Sequence, residues 1–380
     1  MGVTIAQDGI GNGPFAPSAK VLVAGVEAAW LSVDVTLAVY GVASVISADV
    51  PMIVDGVQRD LGTEAQNNPE LPLAVNVGMT DTSGVQAPLA LTQLETGFLE
   101  ECRDHCAANM TALTGRSTAA LFQDTYIADA AEFSQRGDQI VKLFFDTKGI
   151  PLTKVESPFF RGRPGYTEGQ FLKAYRARSM WDEMRDAALA DGYVLTLHNG
   201  QGYYGPPPAS MPTIALTWGR DLIDCEVSHS ARRAHDIIVR IDGYDRKAKT
   251  PISASYSKSG FGGDSPPDDI SSAVRVYPFW GGNTTRTALR AKARARWLDL
   301  VQRELTATLD FVPDPPFLKM LCQVGGQFAV QLSGRKPSQN GVYYPREVHL
   351  SMKAGESDNP TCTVQIVASN IPPATDEGEQ

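Results

Sequence analysis

The sequence predicts an α+β chain that is mainly β, with short antiparallel strands in a sandwich or barrel. Three observations predict this class. Apolar and polar residues alternate in several short runs, which is the pattern of a half-buried strand. Turn residues separate these runs, and the chain contains 34 Gly and 25 Pro. Apolar residues at helical spacing are confined to the middle of the chain and to one segment near its last third.

Length and charge limit the class of protein further. At 380 residues the chain should hold two or more domains, because single cores rarely grow beyond about 250–300 residues. The net charge of −9 argues against whole-chain electrostatic binding to nucleic acid. No window reaches the roughly 18 uninterrupted apolar residues of a membrane span, so no membrane insertion is expected. The N-terminus carries no secretory signal pattern.

The first part of the chain is rich in strand patterns. Residues 1–17 are Gly-rich and predict a flexible arm. Residues 32–40 alternate most cleanly, because Val33, Val35, Leu37 and Val39 fall on one face. Residues 60–70 are polar and predict a loop. The other predicted strands of this part are 20–26, 44–54, 71–79 and 87–94.

The middle of the chain predicts helices and one hairpin. Helical spacing covers 117–131 and 139–145, and Gly149 with Pro151 ends the second helix. Residues 179–190 form the best-signalled short helix, since Ser179 can cap it and Asp182 and Glu183 complement its dipole. Strand 193–198, the turn at Asn199 and Gly200, and strand 201–204 then predict a two-residue hairpin.

The segment 216–256 has the clearest strand sequence of the chain. Its first residues complete a predicted strand, 213–218, which Gly219 interrupts. In 221–227 the apolar residues recur irregularly. Strand 236–241 is expected to break at Asp242 and Gly243, where a tight turn would begin. A loop with Lys247 and Lys249 follows, and strand 251–256 resumes the alternation.

The last part alternates again between element types. Residues 259–272 are rich in Gly, Pro and Asp and predict a long loop. Residues 285–309 predict the longest helix, with Leu289, Trp297 and Leu305 on one stripe. The predicted closing strands are 327–332, 342–352 and 361–369, and residues 370–380 predict an acidic disordered tail.

Several passages, in this order, resemble a known family. They are Thr96-Gly97-Phe98-Leu99-Glu100 and the segments 113–122, 138–145, 179–204, 216–254, 291–305 and 341–367. Together they resemble the baseplate hub proteins of contractile phage tails, the late control D type, whose fold also forms the head of type VI secretion spike proteins. The resemblance covers roughly residues 18 to 369. One departure is Ser117, because an acidic residue often follows Gly-Arg in the family. Another is that no spike, lysozyme or β-helix domain follows Ser369.

The resemblance implies two tail-tube-like antiparallel β-barrel domains and a mixed helical and hairpin middle region. The implied domains are 18–112, 113–212 and 213–369, the last including loop 259–272 and helix 285–309. It further implies a pseudo-sixfold homotrimer that adapts the sixfold tail tube to a threefold central spike, a task of surfaces rather than catalytic groups. The implied place is the virion tail baseplate, after synthesis in the host bacterial cytoplasm. The implied partners are a tube or tube-initiator protein, a separate spike protein and the tape measure protein, with DNA only as passing cargo.

Candidate metal-binding residues are few. The cysteines are odd in number and scattered, which favours free thiols over disulfides: Cys102, Cys106, Cys225, Cys322 and Cys362. If 98–109 were helical, Cys102 and Cys106 would share a face beside His105. A zinc site needs about four ligands, and no second Cys/His pair has ligand spacing. The sequence therefore predicts no metal and no cofactor.

Catalytic patterns are equally weak. His235 and Ser228 could form a nucleophile and base on paper, but no elbow motif supports them. His198 opens the Asn-Gly turn, where a solvent-facing side chain is expected, and His229 and His349 are expected to be satisfied or solvated. The carboxylates come as neighbours in helix starts or loops, where capping and solvation explain them: Glu100, Glu101, Asp182, Glu183, Asp268 and Asp269. The sequence predicts no enzyme.

A basic run on the predicted helix 285–309 is the strongest electrostatic signal. It comprises Arg286, Arg290, Lys292, Arg294 and Arg296. These cations could contact passing DNA, but an acidic partner within the chain or on a neighbouring subunit is favoured. Arg232, Arg233, Lys247 and Lys249 are likewise interpreted as charges near a subunit boundary.

Three alternatives to the hub remain. The first is the head of a type VI or extracellular contractile injection spike. The second is a tail-associated cell-wall hydrolase, which would need two carboxylates on opposite sides of a sugar. The third is a small-ligand binding module, because β-barrels can hold ligands.

Overall fold

Most strands of the chain join one large sheet. A computed structural model describes residues 15–39, 43–54, 57–58, 60–81, 91–127, 136–157, 179–208, 210–230, 237–245, 248–262, 275–283, 286–301, 305–354 and 360–372. The 13-stranded sheet runs β14-β19-β22-β21-β3-β4-β9-β8-β7-β1-β2, with β20 on β21 and β13 on β20. Its pairs are antiparallel except β13 with β20. The predicted mainly β class is therefore confirmed.

The bounds of the elements follow the chain. The first part contains β1 (Phe15–Val23), β2 (Val26–Ala28), β3 (Ser32–Ala38), β4 (Val45–Pro51), β5 (Ile53–Val54), β6 (Val57–Gln58), α1 (Leu61–Asn67), β7 (Pro72–Asp81), β8 (Thr92–His105), a 3-10 turn (Cys106–Ala108) and β9 (Met110–Ser117). The middle contains α2 (Ala120–Gln123), α3 (Gly137–Lys148), β10 (Leu152–Lys154), α4 (Met180–Asp191), β11 (Val194–His198) and β12 (Gln201–Gly205). The last part contains β13 (Thr213–Thr217), β14 (Asp224–His229), β15 (Ile237–Asp245), β16 (Thr250–Ser257), β17 (Gly260–Phe261), β18 (Arg275–Asn283), α5 (Arg286–Val301), β19 (Leu305–Phe311), α6 (Pro315–Val324), β20 (Ala329–Ser333), β21 (Gly341–Lys353) and β22 (Thr361–Ser369).

The large sheet has one continuous core. Strand alternation places Val35, Ile46, Leu350 and Ile366 on its inner side, all fully buried. The core takes side chains from both predicted barrel regions, because β3 pairs with β21 across 313 residues at the contact of Thr36 with His349. The domain boundaries and the closure of two barrels stay predictions.

Two smaller units flank the large sheet. The middle unit consists of α2, α3, α4 and the three-stranded sheet β10-β12-β11, with its own core around Phe122, Phe145 and Trp181. The predicted caps are confirmed, because Ser179 accepts from the N–H of Asp182 and Gly149 ends α3 with a φ of 68°. The helix–sheet unit consists of β15 to β18 and α5, and its core includes Leu289 and Trp297.

Several sequence predictions are wrong for local reasons. The predicted loop 60–70 contains α1, because Asp60 caps it by accepting from Thr63 and Leu61 buries one side. The hypothetical helix 98–109 is mostly strand β8. Within the described residues of the predicted helix 117–131, the helical part is the short α2. The helix starts late because β9 extends to Ser117 and pairs with β8.

Other boundaries also differ from the prediction. The predicted helix 285–309 ends at Val301, and Leu305 begins strand β19, where Thr306 and Thr308 pair with β22. Asp242 and Gly243 do not break β15, because both stay paired with β16 at Ser253 and Ile252. In the pairing with β18 the register shifts at this point, which leaves Gly281 without an opposite residue.

Parts of the predicted arm and of a predicted loop form strands. The predicted arm 1–17 enters β1 at Phe15, and the predicted loop 259–272 contains the short strand β17. Residues 1–14, 263–272 and 373–380 lie outside the described residues. Strand β18 and helix α6 were not predicted.

Candidate interaction face and joints

One side of the large sheet is polar across eight consecutive strands, from β14 to β8 in the sheet order. We call this side the polar face, and it consists of the outward residues of those strands. One register row contains Thr363, Ser351, Asp34, Ser47, Thr114 and Glu101. A neighbouring row contains Thr361, Lys353, Ser32, Asp49, Ala112 and Arg103. Ser, Thr and Asp side chains therefore predominate in these two rows, and all twelve residues are partly or fully exposed.

Hydrogen bonds connect neighbouring strands along the polar face. The Ser32 hydroxyl donates to Asp49 Oδ2 at 2.7 Å. Thr36 Oγ1 lies 3.0 Å from His349 Nδ1, and His349 Nε2 lies 3.6 Å from Asp34 Oδ1. Both side chains of this last pair are more than a third exposed, at 38% and 36%. Solvent screens such a pair, so it contributes little to stability.

Carboxylates outnumber Lys and Arg on the polar face. The carboxylates are Asp34, Asp49, Glu100, Glu101, Asp224, Glu226, Asp310 and Glu347, and the Lys and Arg residues are Lys353, Arg103, Arg116 and Arg346. The face therefore presents an even, hydrated and slightly negative surface.

Two passages that carry the family resemblance pair with each other at this face. Gly97 lies opposite Ser117, Phe98 opposite Arg116, and Leu99 opposite Gly115 in the ladder of β8 and β9. A Cβ at Gly97 would overlap the carbonyl oxygen of Arg116, and one at Gly115 would lie 2.7 Å from Leu73 Cδ2. Both glycines are required by close packing, which explains their place in these passages.

Arg116 connects the large sheet to the middle unit. Its Nη2 lies 2.5 Å from both Glu100 Oε1 and Asp124 Oδ2, the latter just after α2. The hydrogen bonds that Arg116 donates to Glu100 and to Asp124 raise the pKa of Arg116 above its ordinary value. A guanidinium shared by two carboxylates orients the start of the middle unit against β8 and β9.

The hairpin joint is the second connection of the middle unit to the large sheet; it consists of Gln93, Glu95, His198 and Asn199. The β11–β12 turn has positive φ at Asn199 (54°) and Gly200 (72°), as a type I′ turn requires. The amide of Gln93 contacts the Asn199 side chain, and the backbone N–H of Asn199 donates to Glu95 Oε1 at 2.9 Å. His198 Nε2 donates to the carbonyl of Cys322 on α6 at 3.1 Å.

The hairpin joint is deeply buried. The Glu95 side chain is 1% exposed and the His198 side chain 16%, with 3.5 Å between Oε2 and Nδ1. Burial alone would lower the pKa of His198, but the nearby Glu95 carboxylate outweighs it and raises the pKa above its ordinary value. The expected solvent-facing His198 is therefore wrong, because its ring packs under Gly325 at the end of α6.

The ion-pair joint connects the middle unit to the helix–sheet unit; it consists of Arg185, Asp186, Arg296 and Asp299. Arg296 Nη2 lies 3.4 Å from Asp186 Oδ1, and Arg185 Nη2 lies 3.7 Å from Asp299 Oδ1. The prediction of an acidic partner within the chain is confirmed for Arg296. Arg290 instead lies over the Phe261 ring, 5.7 Å from its centroid, and Lys292 Nζ donates to the Gly281 carbonyl at 3.3 Å.

The remaining candidate residues do not converge. Cys102 lies in β8, Cys106 in the exposed 3-10 turn, and all five cysteines are free. Burial raises the thiol pKa to about 11 at Cys102 and to about 12 at Cys322 and Cys362. Among the described residues no group of three or more His, Cys, Asp or Glu side chains could hold a metal ion.

Several candidate residues lie in segments that the structure does not describe. His235, Arg232, Arg233 and Lys247 lie outside the described residues, so the pair of His235 with Ser228 stays a prediction that nothing tests. Lys249 lies in the turn before β16, with a φ of 54°. In the part of the chain that the structure describes, no helix is long and apolar enough to span a membrane.

Solved structures share the whole architecture. The 43 kDa tail protein of prophage MuSo2 from Shewanella oneidensis superposes with a TM-score of 0.63 at 12% identity, over 94% of this chain and 99% of that chain. The tail protein from Neisseria meningitidis MC58 gives a TM-score of 0.61 at 12% identity, over 95% and 99%. The chain has the fold of phage tail proteins.

The same fold extends to a secretion component. The E. coli c3393 protein, a component of the type VI secretion system with structural similarity to T4 bacteriophage tail proteins gp27 and gp5, gives a TM-score of 0.54 at 8% identity, over 95% of this chain and 79% of that one. No protein-family model and no curated protein sequence matches the chain. The likeness is one of fold, and it agrees with the resemblance to baseplate hubs.

Proposed function

We propose that the chain is a structural protein of a contractile phage tail baseplate, a homotrimeric hub between the sixfold tail tube and a threefold central spike. The observation that carries this proposal is the fold shared with two phage tail proteins over almost the full length of both chains. Coverage of the type VI component is 79%, against 99% for each tail protein, which favours the tail over the alternative of a spike head.

The large sheet supports the symmetry part of the proposal. The eight strands of the polar face divide into two four-stranded antiparallel halves, β14-β19-β22-β21 and β3-β4-β9-β8. One half comes from each end of the chain. Three copies would present six such halves, so a threefold assembly could offer six similar units to a sixfold neighbour. The partners in this proposal are a tube or tube-initiator protein, a separate spike and the tape measure protein.

The polar face suits the wall of a passage for DNA. DNA-binding surfaces carry Lys and Arg that release counterions from phosphates. The polar face has Ser, Thr and an excess of carboxylates instead. We propose that this face lines the central passage of the trimer, where DNA moves past without being held.

The oligomeric state tests the proposal directly. Native mass spectrometry of the purified chain should give three times the chain mass of 41.0 kDa. A species that stays monomeric at high concentration, and that binds neither tube nor spike protein from the same phage, would contradict the hub.

A triple lysine variant tests the passage. Ser47→Lys, Thr114→Lys and Ser351→Lys place three cations on the polar face, and Gln66→Lys, Asn67→Lys and Gln323→Lys form a control at exposed helical sites. The face variant should slow DNA release from assembled particles at low salt, whereas the control should not. Equal release from both would remove the polar face from the passage.

No catalytic role is part of the proposal. A zymogram on peptidoglycan tests the alternative of a cell-wall hydrolase. A clear zone that is lost when one carboxylate is replaced would overturn the structural assignment.

A further inference from the structure

The hairpin joint has an unusual arrangement of acceptors around His198. Nε2 faces the backbone carbonyl of Cys322, which can only accept, and Nδ1 faces Glu95 Oε2. A neutral imidazole carries one N–H, so it satisfies only one of these acceptors. The imidazolium carries two N–H groups, so Nε2 donates to the Cys322 carbonyl while Nδ1 places an N–H and positive charge toward the Glu95 carboxylate. The geometry therefore selects the protonated ring.

The proton on His198 also stabilises the buried carboxylate of Glu95. Its Oε1 accepts from the backbone N–H groups of Asn199 (2.9 Å) and Thr96 (3.0 Å). Its Oε2 is buried and has no hydrogen-bond partner among the described residues. The Nδ1 atom of His198 lies 3.5 Å from this oxygen, so a protonated ring would place a positive charge beside it. Without the imidazolium, that oxygen would be a buried carboxylate oxygen facing an uncharged ring, which is costly.

We propose that His198 and Glu95 form a proton-dependent lock that fastens the middle unit to the large sheet. With His198 protonated, the hairpin turn is held to β8 through Glu95 and to α6 through Cys322. With His198 neutral, the ring loses either its hydrogen bond to Cys322 or its attraction to Glu95, and the hairpin separates from the large sheet more often. The lock is independent of the particle to which the chain belongs.

Among the described groups around His198, Glu95 is the one whose charge acts on the protonation of the ring. On β8 the charged group that faces the ring is Glu95, and Gln93 is neutral. On α6 and the residues after it, Cys322 presents its carbonyl and Gln327 donates to the Thr196 hydroxyl at 2.9 Å. The Cys322 thiol remains neutral, because burial raises its pKa to about 12.

The sign of the pH dependence follows from the direction of the shift. The pKa of His198 is raised in the folded chain. Its contribution is therefore complete below the ordinary histidine pKa of about 6.5, and is lost as the pH rises through the folded pKa. Acidification strengthens the lock, and mild alkali weakens it.

Nitrogen spectroscopy of the intact chain tests the protonation state. With selective ¹⁵N-histidine labelling, His198→Gln and His349→Gln assign the two signals. At about pH 6, below the ordinary histidine pKa of about 6.5, both ring nitrogens of His198 should show imidazolium shifts, and its titration midpoint should lie above about 6.5. A His198 ring with one bare nitrogen at that pH, or a midpoint below about 6.5, would overturn the proposal.

Amide exchange tests the mechanical consequence. After correction for intrinsic exchange, protection of the Asn199 amide should fall by about threefold or more between about pH 6 and pH 9 in the wild type. His198→Gln keeps a donor for Cys322 but has no charge, so its protection should be low and independent of pH. His349→Gln is the matched control and should retain the wild-type slope. An unchanged slope in His198→Gln would assign the pH dependence elsewhere and remove the lock.

Discussion

Two of the connections of the middle unit, the hairpin joint and the ion-pair joint, each pair a carboxylate with a basic side chain, and they differ in burial. The hairpin joint places Glu95 and His198 in the interior, at 1% and 16% exposure. The ion-pair joint leaves Asp186 and Arg296 at 32% and 37% exposure. Removing charges from water is costly, and a buried charge without its partner costs most of all. We therefore expect burial, rather than the number of ion pairs, to determine how strongly each joint holds the unit.

Loss of Glu95 should have the largest effect. Glu95→Ala leaves the His198 ring and the N–H groups of Asn199 and Thr96 without their acceptor inside the protein. We expect the free energy of unfolding to fall by about 3–5 kcal/mol, measured by urea denaturation at neutral pH. A loss below about 1 kcal/mol would show that water replaces the carboxylate and that the joint is open.

A glycine beside the ring should have the next largest effect. Gly325 has a φ of 57°, and a Cβ there would lie 3.0 Å from the His198 ring. Gly325→Ala should therefore cost about 1–3 kcal/mol, through backbone strain and displacement of the ring.

Gly219→Ala is the control for the strain alone. Gly219 has a φ of 83° and no atom within 4 Å of an added Cβ. If Gly325→Ala and Gly219→Ala lower the thermal stability equally, the His198 ring is not in close contact with Gly325 at the end of α6.

The ion-pair joint should respond weakly. Asp186→Asn should lower the free energy of unfolding by about 0.5 kcal/mol, because exposed pairs are screened and constrained by entropy. The loss should shrink further when the ionic strength rises from about 0.05 M to about 0.5 M. A loss above about 2 kcal/mol that persists in salt would make the two joints equivalent.

The exposed histidine of the polar face should respond least. His349→Gln removes a pair with Asp34 in which both side chains are more than a third exposed. We expect a change within about 0.5 kcal/mol in chemical denaturation. A larger loss would mean that another subunit covers the polar face under the conditions of the measurement.

The sequence predicts the strands of the large sheet well because their alternation is local. In β3 the predicted inward residues Val33, Val35 and Leu37 are all buried. The hairpin turn at Asn199 and Gly200 and the cap at Ser179 are also local signals, and both are confirmed. Boundaries fail where an apolar pattern suits two structures, as at Leu305, which fits a helical stripe but lies in β19.

The joints could not be predicted, because they depend on pairings between distant residues. Glu95 is buried next to Leu94 in β8. Its place beside this apolar residue is the single feature of the local sequence that could indicate a buried carboxylate. Its partner His198 comes from a turn that would be solvated on its own. Helix α6 did have a readable signal, since Asp314 caps it before Pro315 and accepts from the N–H of Phe317.

The pairing of β3 with β21 has a consequence for synthesis on the ribosome. Ser32–Ala38 is made early, but its neighbour is supplied by residues 347–353 near the other end of the chain. Until those residues emerge, β3 has an open edge that invites pairing with other chains. The large loop closure also predicts slow folding, because distant contacts must form before they are stabilised. We therefore expect truncations before β21 to aggregate, whereas the full chain remains in solution.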